Sequence, residues 1–361
     1  MSLRNYVSLG RSGVRVSPLC LGAMTFGEDW GWGSTVEESK QILDRYIDLG
    51  GNFIDTANGY TKGHSEAIIG EHIGRNSSRR DRLVIATKFL TNMYRGDPNG
   101  GGAGRKSLIA ACENSLRRLQ TDYIDLYWMH FWDRFTPIEE TMRALDHLVA
   151  AGKVRYIGFS DTPAWKVAQA QTPAVLKGWT PLIALQLEYS LLERTIEGEL
   201  IPAALELGLG VTPWSPLKGG MLTGKYTRES VKTATPGRGA WVSRAFTDQA
   251  FKVLDVLTTV ASDAGTTVAR AALAWVIQRP GVASTIIGAR TMEQLEDNLG
   301  ALEVKLAAGQ IKVLNEVSQP VLNFPHGFLE NVKAFGYNGS TIDGQTAPVN
   351  PASPASDSER Y

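Results

Sequence analysis

The sequence predicts an α/β chain folded as a (β/α)8 TIM barrel, and three observations predict it. Eight short apolar runs recur, at residues 19–22, 52–56, 83–88, 123–130, 154–160, 183–188, 210–214 and 285–288, each of strand length. Segments of helical period separate them, so strand and helix alternate along most of the chain. Asp55, Lys88 and His130 stand at or near the C-terminal ends of the second, third and fourth runs. Strand ends facing one way are where a parallel barrel assembles its active site.

In chain order, residues 6–16 read as a hairpin turning at Gly10 to Gly13, ahead of the first barrel strand. Helices are expected over 35–49, 107–119, 138–151 and 198–207. Ser34 and Thr35, followed by Glu37 and Glu38, form a helix-start signal. Gly152 follows Ala151 as glycine does past a helix C-terminus. Two stretches interrupt the repeat. Residues 219–246 form a long polar loop bearing glycine and proline after the seventh strand, of a length usually tied to function. Extra helices over 248–264 and 267–278 precede the eighth strand. Residues 1–336 are expected as a single barrel domain. Residues 337–361, with Pro348, Pro351 and Pro354 among small polar residues, read as a flexible tail. The structural rival is a doubly wound sheet. Its phosphate fingerprint GxGxxG is missing from the first βα turn, Leu21 to Gly27, and Gly208-Leu-Gly210 lacks a third glycine.

Composition narrows the function classes. The 361 residues are 43% hydrophobic and 20% charged, the balance of a globular chain. Acidic and basic residues number 37 each, without the basic excess of a general nucleic-acid binder. Cys20 and Cys112 stand apart, with no disulfide framework and no CxxC metal pair. The five histidines show no HExxH spacing, so catalytic zinc is not expected. No GxSxG elbow marks a hydrolase. The stretch Gly100-Gly-Gly-Ala-Gly-Arg-Lys-Ser107 has a phosphate-loop flavour, but Arg105 separates the last glycine from the lysine, so a plain glycine loop is expected. The N-terminus lacks the apolar core of a signal peptide, and no run approaches the ~18 apolar residues of a membrane span. Cytoplasm is the expected location, without a nucleic-acid or membrane partner.

The ionisable residues suggest a chemistry. Reducing a carbonyl needs a hydride on carbon and a proton on oxygen. The hydride belongs to a cofactor, and the protein must supply the proton. Tyr60, in the loop five residues after Asp55, has a hydroxyl that holds its proton to about pH 10 when alone. A neighbouring ammonium lowers that value, and a carboxylate holds the ammonium in place. Tyr60 as acid, Lys88 as tuner and Asp55 as its partner form a consistent set. His130 would orient the carbonyl through a neutral N–H, or share in the proton relay.

That set in that order resembles the catalytic tetrad of the aldo-keto reductase family. The resemblance extends over roughly residues 9–302. Residues 50–60, followed by Ser65-Glu66 and by 83–88, look like the family signature, as do 115–127 with His130. Residues 152–160 resemble the motif of the fifth strand and Gln186 that of the sixth. The nearest branch contains aryl-alcohol dehydrogenase-like enzymes and potassium-channel β-subunits. The resemblance implies a barrel oxidoreductase using NADPH. It implies that Ser160 and Gln186 hydrogen-bond the nicotinamide amide, that Trp214 stacks on the ring, and that Ser215, Leu217 and Gly219 line the pyrophosphate. It adds Lys225 to the cofactor contacts, and assigns Gly288, Arg290, Gln294 and Asn298 to the adenosine end. Those last positions open the eighth-repeat helix, whose N–H groups favour an anion. Asp161 stands where the family usually has asparagine. It either accepts from the carboxamide or has moved out of the site.

Trp30, Trp32, Trp128, Trp132 and Trp241 fall at strand ends or in loops and could crowd the mouth of a barrel, suiting a flat or apolar carbonyl. The expected function is thus NADPH-dependent reduction of aldehydes or ketones, with a small carbonyl or alcohol as partner and an oligomer compatible with the same barrel. The alternative, drawn from the channel-associated relatives, is a nicotinamide-binding redox sensor with little turnover. A barrel lyase or isomerase is a third reading.

Overall fold

In the structure, a computed structural model, residues 1–229, 242 and 245–360 are described. Trp241 and half of the predicted 219–246 loop lie outside them. Contacts divide the chain into two compact units, Met1–Gln319 and Pro320–Tyr361.

The first unit carries the barrel. Strands β1 (Val7–Ser8) and β2 (Arg15–Val16) pair antiparallel as the predicted hairpin. Eight strands then form one parallel sheet: β3 (Leu19–Gly22), β4 (Phe53–Asp55), β5 (Val84–Phe89), β6 (Ile124–Met129), β7 (Val154–Ser160), β8 (Leu182–Glu188), β9 (Gly210–Trp214) and β10 (Thr285–Gly288). Their order is β10-β3-β4-β5-β6-β7-β8-β9. The ends of the sheet meet: Val211 bridges Val282, and its N–H and C=O bond Gly281 and Ala283 at 2.9 Å each. This is the predicted (β/α)8 barrel.

The helices follow from their caps. Thr35 caps the helix Val36–Asp48 through a reciprocal box, its hydroxyl accepting from the Glu38 N–H while Glu38 Oε2 accepts from the Thr35 N–H at 3.0 Å. Threonines 247, 267 and 291 cap the helices Asp248–Asp263, Val268–Ile277 and Met292–Gly300 through the hydroxyl alone, which accepts from the N–H of Ala250, Arg270 and Gln294 respectively. The first two of these are the extra helices before the last strand. Among the described residues, no helix is long and apolar enough to cross a membrane.

Alternation along each strand sorts the core into two layers. Outward residues such as Ile54, Ile85, Tyr127, Phe159 and Leu185 pack under the helices. Inward residues, including Cys20, Phe53, Val84, Ala86, Leu126, Trp128, Ala184 and Ile286, fill the barrel. Leu9 and Val16 of the hairpin join this inner cluster and close its lower end. Gly10 is required there: it has φ +61°, and a Cβ would lie 2.2 Å from the Ile183 carbonyl oxygen. Trp128 is fully buried inside the barrel rather than at its mouth, which corrects the expectation for this residue. Its indole covers Gly158, where a Cβ would sit 2.3 Å from the ring.

The second unit holds a helix, His326–Tyr337, and a two-stranded hairpin pairing Thr341 with Thr346 and Ile342 with Gln345.

Candidate active site

The inward face of each strand, continued two residues further, gives the site. Phe53 leads to Asp55, Ala86 to Lys88, Trp128 to His130, Gly158 to Ser160, Ala184 to Gln186, Thr212 to Trp214 and Ile286 to Gly288. Period two thus aims these side chains into the barrel axis at its C-terminal mouth.

Lys88 is the centre. It is fully buried and donates from Nζ to Asp55 Oδ2, to the Thr56 carbonyl at 2.8 Å and to the Tyr60 hydroxyl at 3.0 Å. All three ammonium donors are therefore satisfied. Gln186 Nε2 donates to Asp55 Oδ1 at 2.9 Å, fixing the carboxylate from the opposite wall. The Tyr60 and His130 rings meet edge to face, with centroids 5.7 Å apart.

Charges follow from this packing. Burial pulls the Lys88 ammonium down, but Asp55 and Tyr60 outweigh it and leave its pKa above the ordinary value. Burial raises the Tyr60 hydroxyl, with Lys88 pulling it back and Asp55 opposing. The downward pull of Lys88 is thus present, yet the net shift is upward, opposite to the simple expectation. Burial, aided by the Lys88 charge, pushes His130 down to about 3. His130 is a neutral imidazole near pH 7, and among the described residues its Nδ1 has no hydrogen-bond partner.

The segment after Tyr60 is held under strain. Thr61 and Lys62 adopt left-handed backbones, φ +45° and +61°, unusual above all for a β-branched residue. Buried Thr61 donates to the Phe26 carbonyl at 2.8 Å and accepts from the Ser65 N–H at 2.9 Å. Phe26 opens the loop carrying Trp30, whose ring lies 6.4 Å from that of Tyr60 and 5.6 Å from that of Trp32. The following helix is anchored by Glu66, fully buried between Thr87 Oγ1 at 2.5 Å and Arg118 Nε at 2.7 Å. Thr61 and Arg118 were not identified from sequence. A left-handed threonine has no local signature, and the Glu66–Arg118 pair spans 52 residues.

Around the rest of the mouth, Ser160 is buried and its Oγ donates to Asp161 Oδ2 at 3.3 Å. Asp161 has φ +40° and is exposed, and its Oδ1 accepts from Trp214 Nε1 at 3.0 Å. Desolvation by the surrounding rim pushes its carboxyl up to about 6, against the hydrogen bonds from Trp214 and Ser160. Lys218, not singled out from sequence, pairs with Glu188 at 2.7 Å. In the turn after Trp214, the N–H groups of Lys218, Gly219 and Gly220 bond Ser215 and Leu217. Lys225 is exposed, with Nζ 5.0 Å from the Tyr226 ring centroid.

The remaining predicted positions lie just before and along the helix Met292–Gly300. Arg290 donates its N–H to Gln294 Oε1 at 2.9 Å, and Asn298 Nδ2 donates to the Gly288 carbonyl at 3.1 Å. Among the described residues the buried Arg290 Nε has no hydrogen-bond partner, and none of them comes within 4 Å of a Cβ built on Gly288. An unpaired guanidinium nitrogen beside an open glycine and a helix N-terminus fits an anionic ligand, and a half-buried indole at the mouth fits a planar ring. These residues fit a phosphorylated dinucleotide. Of the other expected mouth aromatics, Trp132 packs edge-on against Trp165, with centroids 5.5 Å apart.

A model of the Aldo/keto reductase family matches residues 18–319. An uncharacterised oxidoreductase of Bacillus subtilis is 40% identical over 86% of this chain and 95% of its own length. A norsolorinic acid reductase of Emericella nidulans is 38% identical, over 88% and 82%. An NADP(+) aryl-alcohol dehydrogenase of Phanerodontia chrysosporium is 36% identical, over 87% and 86%.

Proposed function

Because this chain belongs to the aldo/keto reductase family and is an oxidoreductase, we propose that it reduces aldehydes or ketones to alcohols with NADPH, reversibly, using Tyr60 as the proton donor. The observation that carries the reading is the Lys88 ammonium joining Asp55 to the Tyr60 hydroxyl in a buried corner at the barrel mouth.

NADPH, when bound, supplies the hydride. Tyr60 gives its proton to the carbonyl oxygen as negative charge builds there. Lys88 stabilises the resulting phenolate, and Asp55 keeps the ammonium charged and aimed. His130, neutral and short of a partner, orients the carbonyl by a hydrogen bond rather than relaying the proton. Gln186 gives its amide N–H to Asp55, which leaves its carbonyl oxygen to accept from the nicotinamide carboxamide beside Ser160. Trp214 would stack on the nicotinamide. Ser215, Leu217, Gly219 and Lys225 would hold the pyrophosphate, and Gly288, Arg290, Gln294 and Asn298 the adenosine end, with Arg290 offering its guanidinium to the 2′-phosphate.

Trp30 and Trp32 form an aromatic wall over Tyr60, which suits a flat aromatic aldehyde or ketone. The names of the reductase and aryl-alcohol dehydrogenase relatives support that class. The test is NADPH oxidation, followed at the nicotinamide absorbance band, against a panel of aromatic and aliphatic carbonyls. Turnover highest with aromatic members is expected. Binding of NADPH without turnover on any member would replace the enzyme with a redox-sensing subunit.

A further inference from the structure

We propose that Asp161 is a redox-state selector: a carboxylate beside the nicotinamide that makes this chain hold the oxidised cofactor more tightly than the reduced one. The inference rests on the cofactor reading above, in which Trp214 stacks on the nicotinamide.

The geometry places a charge where a charge matters. Asp161 Oδ1 accepts the Trp214 indole N–H at 3.0 Å, so the carboxylate lies at the edge of the stacking ring. Ser160 donates to the other oxygen, and the Asp161 N–H donates to the Gln186 carbonyl at 3.1 Å. The backbone there is left-handed, φ +40°, and the two hydrogen bonds tie the carboxylate to the Trp214 indole and to Ser160. Asparagine would satisfy the same backbone and the same indole bond. What aspartate adds is a negative charge.

The neighbours do not cancel that charge. Facing Asp161 are Ser160 from β7, Gln186 and Glu188 from β8, Trp214 from β9 and Tyr60 from its loop. Lys218 is paired with Glu188 and Lys88 with Asp55. Among the described residues, no cation pairs with Asp161. The oxidised nicotinamide is a cation and the reduced ring is neutral. An anion at the ring's edge therefore favours NADP+ over NADPH. In the reduction, carbonyl plus NADPH plus a proton gives alcohol plus NADP+, so positive charge builds on the ring as hydride leaves. The same carboxylate assists that direction and slows release of the oxidised product.

Unit charges about 6 Å apart, at an effective dielectric between water and a protein surface site, give a preference of about tenfold. Protonation removes it, and the carboxyl titrates near 6, so the preference is expected at pH 8 and absent at pH 5. The 2′-phosphate also titrates in this range, but both cofactors carry it and it cancels in their ratio.

The experiment is fluorescence titration of the full chain with NADP+ and with NADPH at pH 5 and pH 8, for the wild type and for Asp161→Asn. The expected result is a Kd ratio, NADPH over NADP+, that rises about tenfold from pH 5 to pH 8 in the wild type and stays flat in the variant. A structural role alone would weaken both cofactors together and leave the ratio unmoved. Equal ratios for the two proteins at pH 8 would overturn the inference while leaving the cofactor site intact. Absence of binding by either cofactor would remove that site and the inference with it.

Discussion

Two ends of the same barrel mouth differ in how far their polar groups are satisfied. At the Tyr60 corner every donor of Lys88 is used, Asp55 is held from both sides, and the following helix is pinned by the ion pair of buried Glu66 with Arg118. Among the described residues neither the Arg290 Nε at the other end nor the His130 Nδ1 beside the corner has a hydrogen-bond partner. The difference separates two tasks. A proton donor must be set before substrate arrives, because its power comes from fixed charges in a dry surround. A binding end gains most by offering its hydrogen bonds to the ligand, since buried unpaired donors are costly until paired.

The comparison breaks most visibly at Lys88. Lys88→Met removes the ammonium that offsets burial, so the Tyr60 hydroxyl becomes a still weaker acid. Turnover on an aromatic aldehyde is expected to fall about 10²–10⁴-fold, as for loss of a positioned acid, with NADPH affinity kept. Steady-state kinetics with a cofactor titration checks this. Comparable loss of cofactor binding would move Lys88 out of the proton corner.

Arg290 probes the other end. Arg290→Ala is expected to weaken NADPH about 10- to 150-fold, the worth of a hydrogen bond to a charged group, while NADH hardly changes. Equal weakening of both cofactors would take Arg290 off the 2′-phosphate.

Trp214 joins the two ends, and a smaller effect is expected. Trp214→Ala should cost cofactor affinity about two- to tenfold, the range of an aromatic stacking contact, and should remove most of the fluorescence quench on NADPH binding. An unchanged quench would place the stacked ring elsewhere.

The smallest effect concerns His130, where the expectation is no effect. Its pKa lies near 3, below its ordinary 6.5, so the imidazole is neutral above that pH and charged only in strong acid. The pH profile of kcat should show no histidine inflection between pH 5 and pH 8. An inflection near 6.5 that vanishes in His130→Gln would mean that the imidazole does titrate, and would revive the relay role.

Much of this arrangement is legible in the sequence. The strand 154–160 and the hairpin turn around Gly10 were readable because period-two patterning and glycine turns are local signals. Asp55, Lys88 and His130 were readable because each closes such a pattern on its inward face. Trp128 misled. It sits two residues before His130 and has the same composition cue as the mouth tryptophans, but only the register of β6 against Gly158 places it below the site. The strained Thr61 and the Glu66–Arg118 pair were not legible, since both depend on chain segments brought together by the closed barrel. The upward net shift of Tyr60 was missed for a related reason. Neighbouring charges can be guessed from a motif, but the depth of burial that outweighs them cannot.

The most direct test of the central claim, that Tyr60 and Lys88 act as one proton-donating unit, is a double-mutant cycle. Single-turnover NADPH oxidation would be measured for wild type, Tyr60→Phe, Lys88→Met and the double variant on one aromatic aldehyde. Each single variant should lose about 10²–10⁴-fold, and the double variant little more than the worse single one, as for residues that work together. Losses that multiply, or a Tyr60→Phe enzyme with wild-type turnover, would contradict the account.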